Sequence, residues 1–290
     1  MAAPTTSAVG AAGMGPGQTG DTGASTSPGG SNSQSTVKAI GKTGWYDGFD
    51  ITVDKATVVP DGSGGARVTI DITYKNNTTD DKMISVTPTL QVGDQIDGGA
   101  DFTDPTVPGK GSAAGTVTTS VKKLGDAGHL IDTLTLVYGP ASANQTKIPL
   151  KADAKVDSIQ PKTLPITGTL VQGHTTVQVT GATLTPSYTK DERGKMELAL
   201  HVKLIGGGDI SDGGANIFTE YFSIKTPDGQ SLVADQRGFI DELLDRNQTI
   251  DNPKDLATFV VASPGTGAYV LSYDATKGQT PAATLAVTVN

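Results

Sequence analysis

The segment Val68-Thr69-Ile70-Asp71-Ile72-Thr73-Tyr74-Lys75 alternates an apolar with a polar side chain at every position. Successive side chains of a β-strand point to opposite faces, so this pattern predicts a strand with one buried and one solvated face. Clusters of turn-forming residues separate it from similar segments, at 60–65, 76–81, 93–99, 105–115 and 125–128. A strand roughly every 8 to 15 residues, without intervening helices, is typical of an antiparallel β-sandwich.

The chain contains this pattern twice, because the stretch from Gly48 to Leu150 recurs with drift between His174 and Val287. The matched strand positions are Val68, Ile70, Ile72 and Tyr74 with Met196, Leu198, Leu200 and Val202, and Leu134, Leu136 and Tyr138 with Tyr269, Leu271 and Tyr273. A length of 290 residues allows two cores of ordinary size. The sequence predicts an all-β chain of two tandem immunoglobulin-like antiparallel β-sandwich domains, at 38–152 and 163–290, with 153–162 as the linker.

Composition excludes several classes of function. The formal net charge of −8 disfavours binding to nucleic acid and to anionic lipid surfaces, because both depend on clustered Lys and Arg. The sequence has no cysteine, which excludes disulfides, thiolate metal sites and cysteine nucleophiles. No apolar run approaches the roughly 20 residues that are needed to span a bilayer.

Residues 1–37 differ in composition from the rest. They consist mainly of Gly, Ala, Ser, Thr, Pro and Gln, and such a segment buries too little apolar surface to offset its ordering entropy. We therefore expect a disordered leader. Leaders of this kind follow the lipid-modified cysteine of exported bacterial lipoproteins, so the segment indicates a tether, with a low-complexity or cloning-derived tail as the alternative.

Two segments resemble a known family. Gly48-Phe49-Asp50-Ile51-Thr52-Val53 and Val68 to Asn77 are similar to strands of the telokin-like immunoglobulin-fold domains in secreted and lipoprotein Gram-positive proteins, notably actinobacterial ones. The resemblance covers most of both repeats, although the second has Leu204 to Gly208 where the first has paired Asn residues. It implies export and a binding or scaffolding role, and it carries over no catalytic residues.

Trp45, Tyr46 and Phe49 place three aromatic residues within five positions. Strand alternation would direct Trp45 and Phe49 into the core and leave Tyr46 facing outward. Since exposed aromatic rings commonly anchor partner proteins, Tyr46 is a candidate partner-binding residue.

Residues 239–247 predict a short helical insertion. Phe239 and Leu243, and likewise Ile240 and Leu244, lie four residues apart, and acidic residues would occupy the first turn. Such a helix either caps the end of a sandwich or presents spare apolar surface to a partner. Phe239, Leu243 and Leu244 are therefore also candidate partner-binding residues.

Two Gly-rich acidic loops are weak candidates for calcium binding. They contain Asp94, Asp97, Asp101 and Asp104 in the first repeat, and Asp209 and Asp212 in the second. Calcium prefers several oxygen ligands from one flexible segment, but the spacing differs from that of an EF-hand loop. Solvated loop acids are the alternative, and the sequence predicts no metal and no cofactor.

Other motifs give no catalytic site. Residues 164–168 match the LPxTG sorting pattern, but a whole domain follows them, so they are interpreted as the entry to the second repeat. His129, His174 and His201 form no recognisable constellation, and a nucleophile elbow and a phosphate loop are absent from the sequence. We expect no enzyme activity.

The sequence therefore predicts a noncatalytic, extracellular, envelope-tethered module that displays two β-sandwiches for protein–protein interaction. Its partner would be a protein of the envelope or of a secreted complex, without nucleic acid, and any membrane contact would be through a lipid anchor that is absent from this sequence. The first alternative is a module that binds or senses a small molecule or calcium. The second is a secreted enzyme.

Overall fold

The computed structural model describes residues 34–290, so the predicted leader lies outside the described residues except for positions 34–37. The first strand already begins at Thr36. No helix among the residues from 34 onward has the length and apolar character that crossing a bilayer requires.

The first repeat forms two antiparallel sheets that enclose one core. Its strands are β1 Thr36–Tyr46, β2 Phe49–Pro60, β3 Ala66–Asn76, β4 Thr89–Val92, β5 Gln95–Ile96, β6 Asp101–Thr103, β7 Ser112–Val121, β8 Leu134–Tyr138 and β9 Thr146–Pro149, with one helix, α1 Ala127–Asp132. The sheet orders are β1-β2-β3-β7-β6 and β5-β4-β8-β9. We call this half the first sandwich.

The alternation in β3 produces the predicted burial. Val68, Ile70, Ile72 and Tyr74 are buried in the core of the first sandwich, whereas Lys75 is exposed. Removing a large apolar side chain of this kind from water contributes about 1.5 to 3 kcal/mol. Because β3 pairs with β2 on one side and β7 on the other, it is a central strand of its sheet.

The second repeat forms a second antiparallel sandwich. Its strands are β10 Lys162–Leu164, β11 Gly168–Gln172, β12 Thr175–Pro186, β13 Lys195–Gly206, β14 Ala215–Phe218, β15 Phe222–Lys225, β16 Ser231–Val233, β17 Asp241–Leu244, β18 Thr249–Ile250, β19 Leu256–Ala262, β20 Gly267–Tyr273 and β21 Ala283–Val289, with short 3₁₀ helices at Thr219–Tyr221 and Gln236–Gly238. One sheet is built around β12 and β13, a second has the order β16-β15-β20-β21, and β14 and β17 form a small third sheet. The prediction of an all-β chain of antiparallel sandwiches is confirmed.

The helix predicted over 239–247 is wrong, because Asp241–Leu244 is strand β17, paired antiparallel with β14. A spacing of four residues brings two side chains to the same face of a helix, but it also does so in a strand, where faces alternate every two residues. Ile240 and Leu244 face inward and are buried, while Leu243 faces outward. The apolar pattern therefore fitted both structures, and the pairing with β14 selects the strand.

Residues 153–162, predicted as the linker, are held against the first sandwich. The Oγ of Ser158 accepts from the Trp45 N–H at 2.8 Å and donates to the Trp45 carbonyl at 3.0 Å. Lys147 and Asp157 exchange two backbone hydrogen bonds. This segment thus continues the packing of the first sandwich.

The two sandwiches meet at a joint formed by Trp45, Tyr46 and Asn144 of the first and residues 187–195 of the second. The ring of Tyr188 lies 4.2 Å from that of Tyr46 and 5.8 Å from that of Trp45, centroid to centroid. Aromatic pairs in tilted geometry contribute about 0.5 to 1.5 kcal/mol beyond their buried area. Residues 34–290 accordingly belong to one compact unit.

Asn144 supplies the polar half of the joint. Its Nδ2 donates to the carbonyls of Ser187 and Lys195, both at 2.7 Å, and its Oδ1 accepts from the Gly194 N–H at 2.9 Å. The side chain is almost completely buried. It thereby satisfies three backbone groups of the turn between β12 and β13.

Candidate functional site

Tyr46 lies in the joint and not on the surface, so the prediction that its ring faces outward is wrong. Tyr46 and Phe49 are completely buried and Trp45 nearly so. Strand alternation indicated an exposed Tyr46 because it describes one sheet, whereas Tyr188 of the second sandwich covers the outer face of the ring. Desolvation raises the pKa of Tyr46 to about 12. A ring without exposed surface offers no contact to a partner.

The four acidic side chains of the loop in the first sandwich do not form a cluster. Asp97 accepts hydrogen bonds from the Thr119 hydroxyl and, at 2.9 Å, from the Gly99 N–H. Asp104 accepts from the Tyr74 hydroxyl at 2.7 Å. Asp94 and Asp101 are exposed. The loop therefore uses two of its carboxylates in local hydrogen bonds.

The acids of the second loop also have local partners. Asp209 pairs with His174, and Asp212 lies 2.9 Å from the guanidinium of Arg246. In the part of the chain that the structure describes, no three His, Asp or Glu side chains are arranged to hold a metal ion. The structure does not bring the predicted calcium candidates together.

Two of the predicted partner-binding residues are exposed. Phe239 has 59% and Leu243 52% of its surface accessible, whereas Leu244 is completely buried, which excludes it as a contact residue. Phe239 follows the 3₁₀ helix Gln236–Gly238 directly, and Leu243 lies on the outer face of β17. Because Asp241–Leu244 is a strand and not a helix, Leu243 and Leu244 point to opposite faces, which explains why one is exposed and the other buried.

Phe239 lies at a cavity of about 570 Å³ between β17 and the turn that precedes β19. We call it the Asp255 cavity; its lining includes Phe239, Asp241, Glu242, Asn252, Lys254 and Asp255. Gly238 makes one wall possible, because a Cβ there would lie 2.2 Å from the Leu256 carbonyl oxygen and 2.3 Å from Thr258 Oγ1. Only glycine at position 238 therefore allows the 3₁₀ helix to approach β19 this closely.

Asp255 is the buried acid of this cavity. Its backbone N–H donates to the Asn252 carbonyl at 3.0 Å and its carbonyl accepts from the Val202 N–H at 3.1 Å, which fixes it beside β13. Only 2% of the residue is exposed, and its Oδ2 has no hydrogen-bond partner among residues 34–290. Desolvation and, secondarily, the neighbouring Glu242 raise the pKa of Asp255 to about 7.

Glu242 faces the cavity from strand β17. The Nδ2 of Asn252 donates to Glu242 Oε1 at 3.1 Å, and Asn252 Oδ1 in turn accepts from the Lys254 N–H at 3.1 Å. This Asx turn holds the segment between β18 and β19 in place. The carboxyl groups of Glu242 and Asp255 repel each other when both are ionised.

Arg237 lies at the edge of the cavity and is fully engaged by carboxylates. Its guanidinium contacts Glu197 at 2.7 Å, and Glu192 and Asp235 at 2.9 Å each. Hydrogen bonds from Arg237 are the main cause that lowers the pKa of both Glu192 and Asp235. The network joins the turn between β12 and β13 to the 3₁₀ helix that directly precedes Phe239.

Replacing Arg237 tests this network. We expect Arg237→Met to lower the free energy of unfolding at pH 7 by about 1 to 2 kcal/mol, because three partly buried carboxylates lose their counter-charge. Because the pKa values of Glu192 and Asp235 are lowered in the folded state, the ionised carboxylates stabilise it above pH 4, and this stability is lost as the pH falls through their folded-state pKa values. The difference in the free energy of unfolding between Arg237→Met and wild type should therefore be smaller at pH 3. Urea denaturation at pH 7 and at pH 3 measures the free energy of unfolding of both proteins. Arg193→Met in the same turn is the control, and equal stability of Arg237→Met and wild type at pH 7 would contradict the interpretation.

No known family model matches this chain, and no curated protein is significantly similar to it. Among solved structures, a match is the crystal structure of the conserved domain protein from Bacillus anthracis, with 11% sequence identity and a TM-score of 0.22 over 81% of this chain and 76% of that chain. A TM-score of this size does not establish a common fold.

Proposed function

We propose that this chain is a noncatalytic protein-binding module of a bacterial cell envelope, and that the surface around Phe239 contacts the partner. The observation that carries the proposal is the exposed ring of Phe239 beside a cavity with a buried carboxyl group. Aromatic residues dominate the binding energy of many protein interfaces, particularly where they adjoin a pocket. Leu243 adds exposed apolar surface on the same segment.

The joint between the sandwiches supports a display role. The contact between the Tyr46 and Tyr188 rings and the three hydrogen bonds of Asn144 fix one sandwich against the other, so a partner would meet a surface that needs little reorganisation. Affinity is gained when the binding surface is ordered before the partner arrives.

The cellular setting is proposed on the sequence. The composition of residues 1–37 suits a tether, and the resemblance of 48–53 and 68–77 to telokin-like domains of secreted Gram-positive proteins supports export. In this proposal the chain is a secreted or lipid-anchored protein of the outer face of the envelope. Its partner is a protein of that compartment.

Substitution of Phe239 tests the proposed function. We expect wild-type chain to capture an envelope protein that, once purified, binds Phe239→Ser at least tenfold more weakly, since loss of an aromatic anchor costs 2 kcal/mol or more. Affinity capture with identification by mass spectrometry, followed by calorimetry with the purified partner, measures it. Val233→Ser is the matched control, because Val233 is also exposed, at 62%, but lies on β16 outside the cavity lining. Equal binding by Phe239→Ser and wild type would refute the proposal.

A second candidate function is binding of a small molecule, which was the first alternative from the sequence. The observation that favours it is the volume of the Asp255 cavity, about 570 Å³, which lies in the usual range for small-ligand sites. If capture enriches no protein in wild type over Phe239→Ser, while a small molecule copurifies, this function replaces the first.

A further inference from the structure

The Asp255 cavity contains an acceptor without a donor. Asp255 is 2% exposed, and its Oδ2 has no hydrogen bond from another group within the described part of the chain. Burying a carboxyl group in this state is costly. The unpaired oxygen is closed to solvent, so a donor in the cavity reaches it once the Asp255 side chain turns toward the cavity. The remaining polar groups of the cavity indicate what kind of donor that would be.

The charges that face Asp255 favour an incoming cation. Glu242 and Asp241 line the cavity from β17, and Arg237 and Lys254 line it from the 3₁₀ helix and from the turn before β19. Arg237 is already saturated by three carboxylates. Lys254 is exposed and forms no ion pair within residues 34–290. The acids of the cavity therefore outnumber the cations that could neutralise them.

The geometry favours an ammonium group over a guanidinium or a metal ion. The acceptors lie on separate carboxyl groups: Glu242 has one free oxygen, because its Oε1 already accepts from Asn252, and Asp255 contributes its buried Oδ2. A compact ammonium with three rotatable donors suits such acceptors, whereas the planar fork of arginine prefers both oxygens of one carboxylate. No arrangement of three metal-ligating side chains exists among the described residues.

The cavity also has an apolar wall for the methylene stem of such a ligand. Phe239, Pro253 and Leu256 line it beside the acids. A lysine side chain buries its stem on apolar surface while its charged end contacts polar groups, and an aromatic ring attracts the ammonium directly.

We propose that the Asp255 cavity receives a lysine side chain of the protein partner, whose ammonium donates to Asp255 and Glu242 while its stem packs on Phe239. The assignment of this lysine to a protein rests on the proposed function. The ammonium chemistry rests on the cavity alone.

This binding is linked to pH. The ammonium pairs with ionised Asp255, whose pKa lies at about 7 in the presence of Glu242, Asp241, Arg237 and Lys254. At pH 6 most of the Asp255 carboxyl groups are protonated and at pH 8 most are ionised. Affinity for the ammonium should therefore increase about tenfold from pH 6 to pH 8.

The probe for the site is Nα-acetyl-lysine N-methylamide, titrated calorimetrically into the full chain. At pH 8 we expect a dissociation constant of about 1 mM, a value ordinary for so small a ligand. The Nε-acetylated form, which lacks the charge, should bind at least tenfold more weakly. Asp255→Asn should also weaken binding at least tenfold and abolish the pH dependence.

Asp251→Asn is the matched control, because Asp251 belongs to the same turn but pairs with Lys203 outside the cavity lining. Equal affinity for the charged and acetylated probes, or wild-type affinity in a folded Asp255→Asn variant, would overturn the ammonium site. If the lysine probe does not bind as expected but Phe239→Ser still binds the captured partner more weakly than wild type, the ammonium site is wrong and the protein-binding function stands. If the lysine probe binds as expected but no protein is captured, the assignment to a protein partner is wrong and the ammonium site stands.

Discussion

Asn144→Ala is expected to lower the free energy of unfolding by about 3 kcal/mol. The substitution removes three hydrogen bonds of 2.7 to 2.9 Å and leaves the Ser187 carbonyl and the Gly194 N–H without their partner. The Lys195 carbonyl keeps its hydrogen bond from the Ser187 N–H. Each net hydrogen bond contributes about 1 kcal/mol, and a buried group that loses its partner costs about 1 to 3 kcal/mol. Water that enters the joint would recover part of this cost.

The measurement is urea denaturation followed by tryptophan fluorescence. Trp45 is the single tryptophan of the chain and lies 5.8 Å from Tyr188 in the joint, so its emission reports on the contact between the sandwiches. We expect the Trp45 transition of Asn144→Ala to move to lower urea and to precede the loss of circular dichroism.

Gln145→Ala is the control for Asn144→Ala, since the Gln145 side chain makes one hydrogen bond, to the Gly139 carbonyl within the first sandwich. Its effect should stay below about 1 kcal/mol. Similar losses for both variants, or a loss under 1 kcal/mol for Asn144→Ala, would contradict the role assigned to Asn144.

Sequence periodicity predicts the sheets well because the relevant contacts are encoded locally. In β3, the apolar positions from Val68 to Tyr74 face the core and the polar positions between them face outward, as the alternation requires. The same periodicity reaches its limit at Ile240 and Leu244, where a spacing of four residues fits a helix and a strand equally. Pairing between β14 and β17 decides between them, and that pairing joins residues about 25 positions apart.

The candidate site was only partly predictable. The four-residue spacing of apolar side chains in 239–247 singles out Phe239 and Leu243, and both are exposed. Tyr46 was assigned to the surface because its cover, Tyr188, is 142 positions further along the chain. Asp255 was missed, because an acid that follows Asn-Pro-Lys looks like a solvated turn residue. Its burial depends on β13 and β17, which no local pattern reveals.

The second large effect concerns Asp255 and depends on pH. We expect Asp255→Asn to raise the free energy of unfolding by about 2 to 4 kcal/mol at pH 8 and to change it little at pH 4. Folding raises the pKa of this carboxyl from 3.8 to about 7, mainly through desolvation. The folded state therefore binds more protons than the unfolded state between these values.

The direction of the pH effect follows from this difference. A folded-state pKa above the unfolded one gives stability that is complete below pH 3.8 and is lost as the pH rises to about 7. The full loss for such a shift is roughly 4 kcal/mol, at about 1.4 kcal/mol for each pH unit. An amide cannot ionise, and its NH₂ group can donate to Glu242, so the variant avoids this loss.

Thermal and urea unfolding of wild type and Asp255→Asn between pH 4 and pH 9 measures the effect, with the two stability curves separating as the pH passes 5 to 7. Asp251→Asn should follow the wild-type curve, because Asp251 is exposed and its contact with Lys203 is a surface ion pair. If Asp255→Asn is less stable than wild type at pH 8, the buried carboxyl contributes a favourable interaction in its ionised form. The unpaired Oδ2 would then have a donor already, and the Asp255 cavity would offer an ammonium ligand no unsatisfied acceptor.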